Sequence, residues 1–232
     1  MNAYNAYTKI AVLSTIFVAP IPSVTGAAEI AGQPPSAMTN SVVLPELSAP
    51  TSTIWEDGVG QGFRSTVHTL SVEAGVGVGM ASFGSTQAHD LALASLSYGH
   101  MWGPVLGKDH WYRGNFEYRI ELFGGAQYSP STEWLVGLTP HLRYNFATGT
   151  RWIPFLDGGA GVTATGIAHP DLGGTFEFNL QAGGGMHWFV RHNLALTGEV
   201  KYTHMSCAGI DKPNLGLNDI LAYIGVTWFF GK

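Results

Sequence analysis

From Asn115 to Leu122 the chain alternates without a break: Phe116, Tyr118, Ile120 and Leu122 fall on one side, Asn115, Glu117, Arg119 and Glu121 on the other. A period of two sends successive side chains to opposite faces of a β-strand. Leu138 to Phe146 repeats the pattern, with Leu138, Pro140, Leu142, Tyr144 and Phe146 against Thr139, His141, Arg143 and Asn145. So does Phe176 to Val190, where Phe178, Leu180, Met186 and Trp188 oppose Glu177, Asn179, Gln181 and His187. Less regular alternation recurs at 67–80, 90–102, 151–163, 193–206 and 218–230, which makes eight strands in all. Gly, Pro, Asp, Asn or Ser cluster between most of them, as turns require, and no helical period competes.

Eight antiparallel strands of this length can close into a barrel, and the placement of charge says what surrounds it. A soluble, lipocalin-like barrel turns apolar side chains inward. Here the polar face carries Glu117, Arg119, Glu121, Arg143, Glu199 and Lys201 among many glycines, while the apolar face carries Trp134, Tyr144, Trp152, Trp188, Trp228 and Phe230 near strand ends. A polar lumen inside an apolar band edged by aromatic girdles is what a small membrane barrel needs. The expected fold is therefore all-β, an eight-stranded antiparallel transmembrane β-barrel.

Composition narrows the choice further. Only 12% of the residues are charged, and 31 of the 232 are glycine, whereas 45% are hydrophobic, too many for a disordered chain. No run of 18 apolar residues occurs, which excludes a bundle of membrane-spanning helices. With 11 Lys+Arg and a formal net charge of −5, the chain is a poor partner for nucleic acid. Cys207 is alone and the nine histidines show no metal-ligand spacing, so neither a disulfide nor a metal site is expected.

Ahead of the barrel, Lys9 is followed by the apolar stretch Ile10 to Pro20 and by small residues up to Ala28. This order reads as a secretory signal peptide over residues 1–28. Residues 29–62, rich in Pro, Ser, Thr and Ala and without a period, read as a flexible segment, and the barrel takes residues 63–232, its body beginning somewhere between Ile54 and Phe63. Secretion and a spanning barrel together point to the outer membrane of a Gram-negative bacterium.

The candidate chemistry lies on the seventh strand. Leu194, Leu196, Gly198, Val200, Tyr202, His204 and Ser206 share its apolar face, so a serine and a histidine stand where lipid is expected. Residues i and i+2 on one face are about 7 Å apart, close enough for hydroxyl and imidazole to meet when they lean together. On the eighth strand the same phase puts Asn218 on the outer face with Ile220, Ala222, Ile224, Val226, Trp228 and Phe230, while Asp219 points inward. As hairpin neighbours, the two strands set Asn218 beside His204, where an amide orients the ring as in Cys-His-Asn hydrolases but brings no negative charge. A bland alternative is that His204 is an interfacial polar residue and Ser206 begins a turn.

The stretch YTHMSCAGIDKPNLGLNDILAYIGVTWFF, Tyr202 to Phe230, resembles the C-terminal signature of the outer-membrane lipid A 3-O-deacylases of the PagL type. The matching pieces are His204-x-Ser206, Ala208-Gly209-Ile210, Pro213-Asn214, Gly216 and the final apolar strand. The resemblance implies an eight-stranded barrel and a serine esterase that removes the ester-linked acyl chain at the 3 position of lipid A. It implies Ser206 as nucleophile and His204 as general base. Lipid A or lipopolysaccharide is then the partner, no cofactor is required, and whether the chain forms a homodimer stays open.

Two positions depart from that family. Asn218 stands where its best-known members have glutamate, and Cys207 where asparagine, thought to help bind the oxyanion, is typical. Asn214 and a backbone N–H in the Cys207 to Gly209 turn remain as oxyanion donors. Loss of one such donor costs ~10²–10³ in rate, so the alternative is a catalytically weakened, structural or lipid-binding barrel. Cys207 as nucleophile is disfavoured because alternation turns it away from His204. Of the other motifs, Gly75-x-Gly77-x-Gly79 reads as small lumen residues, His169-Pro170-Asp171 as a turn, and Glu117, Arg119, Glu121 and Arg143 as a structural ion-pair network.

Overall fold

A computed structural model of the chain describes residues 53–231. The expected signal peptide, and the segment that follows it as far as residue 52, lie outside the described residues. Eight strands follow in chain order: β1 (His68–Gly79), β2 (Asp90–Leu106), β3 (Gly114–Ser129), β4 (Glu133–Phe146), β5 (Trp152–Thr165), β6 (Phe176–Arg191), β7 (Leu194–Ser206) and β8 (Leu217–Phe230). Each pairs antiparallel with the next, and β1 pairs with β8 to close the barrel. β3 and β4 reach further than alternation shows, to Ser129 and from Glu133, because Gly124, Gly125 and Gly137 blank out the hydrophobic signal there.

The barrel is inside-out relative to a soluble one. Val72, Leu96, Leu138, Leu180, Val200 and Ile224 are exposed on the outer wall, and Arg119, Arg143, Lys201, Glu73, Glu121 and Glu199 are buried within. That is the arrangement of a transmembrane barrel. Long connections (80–89, 166–175, 207–216) gather at one end; the opposite end holds 107–113, 147–151, 192–193 and the ordered start of the barrel.

Inside, the chain builds three layers. In the middle, Arg119 reaches Glu73 at 2.9 Å, Arg143 bridges Asp157 and Glu199 at 2.8 Å each, and Lys201 meets Glu121 at 2.8 Å. Charges this deep must be paired, since removing one partner of a buried pair costs about 3–5 kcal/mol. Glu117 differs from the expected network: it accepts hydrogen bonds from Thr69 and Asn145 instead of pairing with a cation. The glycines of β1 do line the lumen, and a Cβ on Gly75 would lie 2.7 Å from the Tyr223 ring.

Apolar clusters close the layer at both ends. Leu91, Phe123, Leu135, Leu172, Met205 and Leu217 pack beneath the long loops. At the other end Trp55 stacks on Phe63 (ring centroids 4.7 Å) and meets Phe189 edge-on, while Phe63 stacks on Phe229. This corrects the reading of residues 29–62 as flexible throughout. Ile54 and Trp55 are buried at 3% and 1% exposure, so the body begins at the early limit of the expected range. One tryptophan among glycines and acids has no period to announce it.

Truncating that plug is expected to be expensive. Trp55→Ala should lower stability by about 3–5 kcal/mol in denaturant titrations of the detergent-solubilised barrel. Trp111→Ala at the same end, 88% exposed, should change it by less than about 0.5 kcal/mol.

Candidate active site

β7 carries Tyr202, His204 and Ser206 on its outward face, and the β7–β8 register sets His204 directly opposite Asn218. The side chains form one chain of hydrogen bonds. His204 Nε2 lies 3.2 Å from Ser206 Oγ, and His204 Nδ1 lies 2.8 Å from Asn218 Oδ1. Asn218, 1% exposed, also accepts from the Tyr202 hydroxyl at 2.6 Å and donates from Nδ2 to the Ser82 carbonyl at 2.8 Å. Because a carbonyl can only accept, the Ser82 contact fixes which way the amide faces. Oδ1 is therefore turned to His204, whose Nδ1 donates and whose Nε2 is left to accept a proton from Ser206.

Ser206 ends β7 at a tight turn. Ile210 N–H donates to Cys207 O at 3.1 Å, and both central residues, Ala208 (φ 52°) and Gly209 (φ 85°), are left-handed. Such a conformation strains alanine and is held only where surroundings over-determine it. Asn214 supplies part of that grip, since its Oδ1 accepts from Cys207 N–H at 3.0 Å and from Cys207 Sγ at 3.1 Å.

These contacts correct the expected oxyanion set at Cys207. Its N–H is already bound and its thiol is buried, with a further contact to the Asp211 carbonyl, so it serves neither as donor to a substrate nor as nucleophile. Gly209 remains a candidate, joined by Ala208: both residues are exposed and their N–H groups make no hydrogen bond among the described residues. Asn214 is exposed, and with Oδ1 taken by Cys207 its amide N–H₂ remains as a donor.

Four contributors received no role from the sequence, Gly216 among them although it belongs to the matching signature. Tyr202 was legible in principle, two residues before His204 on the same face. Ser82 and Gly216 come from loops, where no period guides the reader. Gly216 has φ 81° and lies close beside the imidazole; a Cβ there would be 2.7 Å from His204 Cε1. The fourth is Asp171, read as part of a turn. It is fully buried, and its carboxylate accepts from Ser85 Oγ (3.0 Å), Thr86 N (2.8 Å), Thr86 Oγ1, Gln87 N (3.1 Å) and His89 Nε2 (2.9 Å). Its backbone carbonyl accepts from Leu215 N and Gly216 N. Its partners are more than 80 residues before it or more than 40 after, beyond any local pattern.

The class is now defined: a transmembrane barrel with a serine, a histidine and an amide in hydrogen-bonded sequence on its lipid-facing wall. The family model described as lipid A 3-O-deacylase (PagL) matches residues 93–227, and the chain belongs to that family. Among solved structures it is similar to the outer membrane enzyme PagL, with 21% identity over 67% of this chain and 97% of that one and a TM-score of 0.49. It is also similar to Neisserial surface protein A (NspA), with 15% identity over 70% and 97% and a TM-score of 0.51, a likeness of fold. No curated protein matches the chain.

Acid should loosen the loop end before the barrel. Burial raises the Asp171 carboxyl, but hydrogen bonds from Thr86, His89 and Gln87 outweigh it and hold the group down at about 2. A carboxyl lowered from its ordinary value of about 3.9 contributes stability that is complete above that value and lost as pH falls through 2. That contribution is roughly 2 kcal/mol. Pepsin cleavage within residues 80–89 should therefore accelerate between pH 4 and pH 2 while the far-ultraviolet spectrum of the barrel holds; constant cleavage would refute the assignment.

Proposed function

We propose that the protein is a lipid A 3-O-deacylase of the Gram-negative outer membrane, a serine esterase whose active site is Ser206, His204 and Asn218. The observation that carries this reading is the unbroken hydrogen-bond chain Ser206–His204–Asn218 on the lipid-facing wall of a member of this family. In a barrel of this class the long loops face outward from the cell. The site then lies at the level of the outer leaflet, ringed by exposed Phe83, Phe178, Leu180 and Ile210 that suit acyl chains.

The chemistry follows from the donors and acceptors. His204 Nε2 takes the Ser206 proton as Oγ attacks the ester carbonyl carbon. The Ala208 and Gly209 N–H groups and the Asn214 amide are the donors available to the resulting oxyanion. His204 returns the proton to the departing sugar 3-oxygen, leaving the acyl group on Ser206. A water molecule, deprotonated by the same nitrogen, then releases the fatty acid and restores the serine. All atoms balance without a cofactor.

Asn218 keeps the tautomer correct but offers the imidazolium no charge. Tyr202 offsets part of this, because its hydroxyl shares Oδ1 and helps pin the amide. The missing carboxylate at Asn218, together with Cys207 and its occupied N–H at the expected oxyanion position, favours the rival reading, a barrel weakened or silent in catalysis.

Mass spectrometry of lipid A incubated in micelles with the full chain separates the two. The parent should release one hydroxyacyl chain, and Ser206→Ala should lower the rate by about 10³-fold or more. Intact lipid A with both proteins would favour the rival. Asn218→Glu should raise kcat about tenfold, since a charge-assisted hydrogen bond exceeds a neutral one by roughly 1–1.5 kcal/mol.

A further inference from the structure

We propose that Asp171 is a positioning residue for catalysis, holding His204 from two sides through separate loops. The proposal rests on the deacylase reading of the site.

One arm runs through the side chain. The Asp171 carboxylate grips Ser85, Thr86, Gln87 and His89, all on the β1–β2 connection. Within that loop Ser85 N–H donates to the Ser82 carbonyl at 3.1 Å, and the same carbonyl accepts from Asn218 Nδ2 at 2.8 Å. Met80 N–H adds a bond to the Asn218 backbone carbonyl at 2.8 Å. The amide that orients His204 is thus itself oriented by a loop that Asp171 ties down.

The other arm runs through the Asp171 main chain. Its carbonyl accepts from Leu215 N–H at 2.9 Å and Gly216 N–H at 3.3 Å, and the neighbouring Leu172 bridges Asn214. Gly216 is the residue packed on the imidazole. One residue from a third loop therefore sets both the back wall of His204 and the direction of its amide.

A carboxylate suits this place because the Thr86 and Gln87 N–H groups facing it can only donate, and the Ser85 and Thr86 hydroxyls and His89 Nε2 are able to. An asparagine there would bring an N–H₂ against N–H and O–H donors, and at least part of the cradle would open. Once Ser82 withdraws, only the Tyr202 hydroxyl still holds the Asn218 amide, and because a hydroxyl can accept as well as donate, it lets the amide turn its N–H₂ to His204 Nδ1. Nδ1 would then accept, the ring proton would move to Nε2, and Nε2 would no longer take the proton from Ser206. The damage falls on turnover more than on substrate binding.

The test uses the full chain in micelles with lipid A as substrate. Asp171→Asn should lower kcat between about tenfold and a hundredfold, within the ~10⁴ ceiling for a wrong tautomer, with KM changed less than about twofold. In an Asn218→Ala background the same substitution should cost less than about twofold, because the path it acts through is already gone. Imidazole ¹⁵N spectra should show His204 protonated at Nδ1 in the parent and shifted toward Nε2 in the variant. Ser85→Ala, a milder cut in the same arm, should move kcat and the spectrum in the same direction if Asp171→Asn fails to fold. An unchanged kcat and tautomer, or an equal loss with and without Asn218, would overturn the proposal. Absence of deacylation by the parent would end the deacylase reading instead, and the tautomer measurement, which needs no turnover, would still decide the role of Asp171.

Discussion

A strand in hydrocarbon has no water to satisfy its N–H and C=O groups, and each group left unpaired there costs several kcal/mol. The pairing of β1 with β8, running from His68–Phe230 to Gly79–Asp219, removes the two edges that an open sheet would present. The other layers follow from this closure. It creates an inside narrow enough that Arg119, Arg143 and Lys201 must find carboxylates at contact distance, and that glycines must replace side chains where partners crowd. It also leaves one wall wholly to lipid, so that any polar group on that wall has to be satisfied by its neighbours there.

The candidate site meets that demand with little to spare. A hydroxyl, an imidazole, an amide and a phenol lie together on the outer wall where β7 ends and β8 begins, and each binds the next. An amide in the third position makes the arrangement a matter of direction more than of charge. A carboxylate accepts at either oxygen and attracts an imidazolium from any approach, whereas an amide works only with the correct end forward. That places a premium on the Ser82 carbonyl, and behind it on the loop staple at Asp171, in a way that a glutamate-bearing site would not share.

Loop order and barrel order are distinct in this protein. The charged middle layer and its two apolar clusters hold the strands, and the aromatic stack of Trp55, Phe63, Phe189 and Phe229 secures the end away from the site. The connections at the other end are bound by one carboxylate with five donors. Stability of the fold and precision of the site can therefore vary independently, which is the usual division between a rigid scaffold and the loops that carry function.

Strand number, antiparallel order and the inside-out distribution were legible in the sequence because a period of two survives wherever one face meets lipid and the other a polar lumen. The meeting of Ser206, His204 and Asn218 was legible for the same reason: they break an apolar face where one strand ends and its neighbour begins, and phase brings their side chains together. Where glycine or a single aromatic replaced the period, at Gly124–Gly125 and at Trp55, the strand limits and the start of the body were lost to view. Cys207 and Asp171 needed the tertiary structure altogether. The hydrogen bond from Cys207 N–H to Asn214, and the cradle of Ser85 to His89 around Asp171, join segments through loops, and a loop contact depends on where three strand ends converge in space, not on any neighbour in the chain.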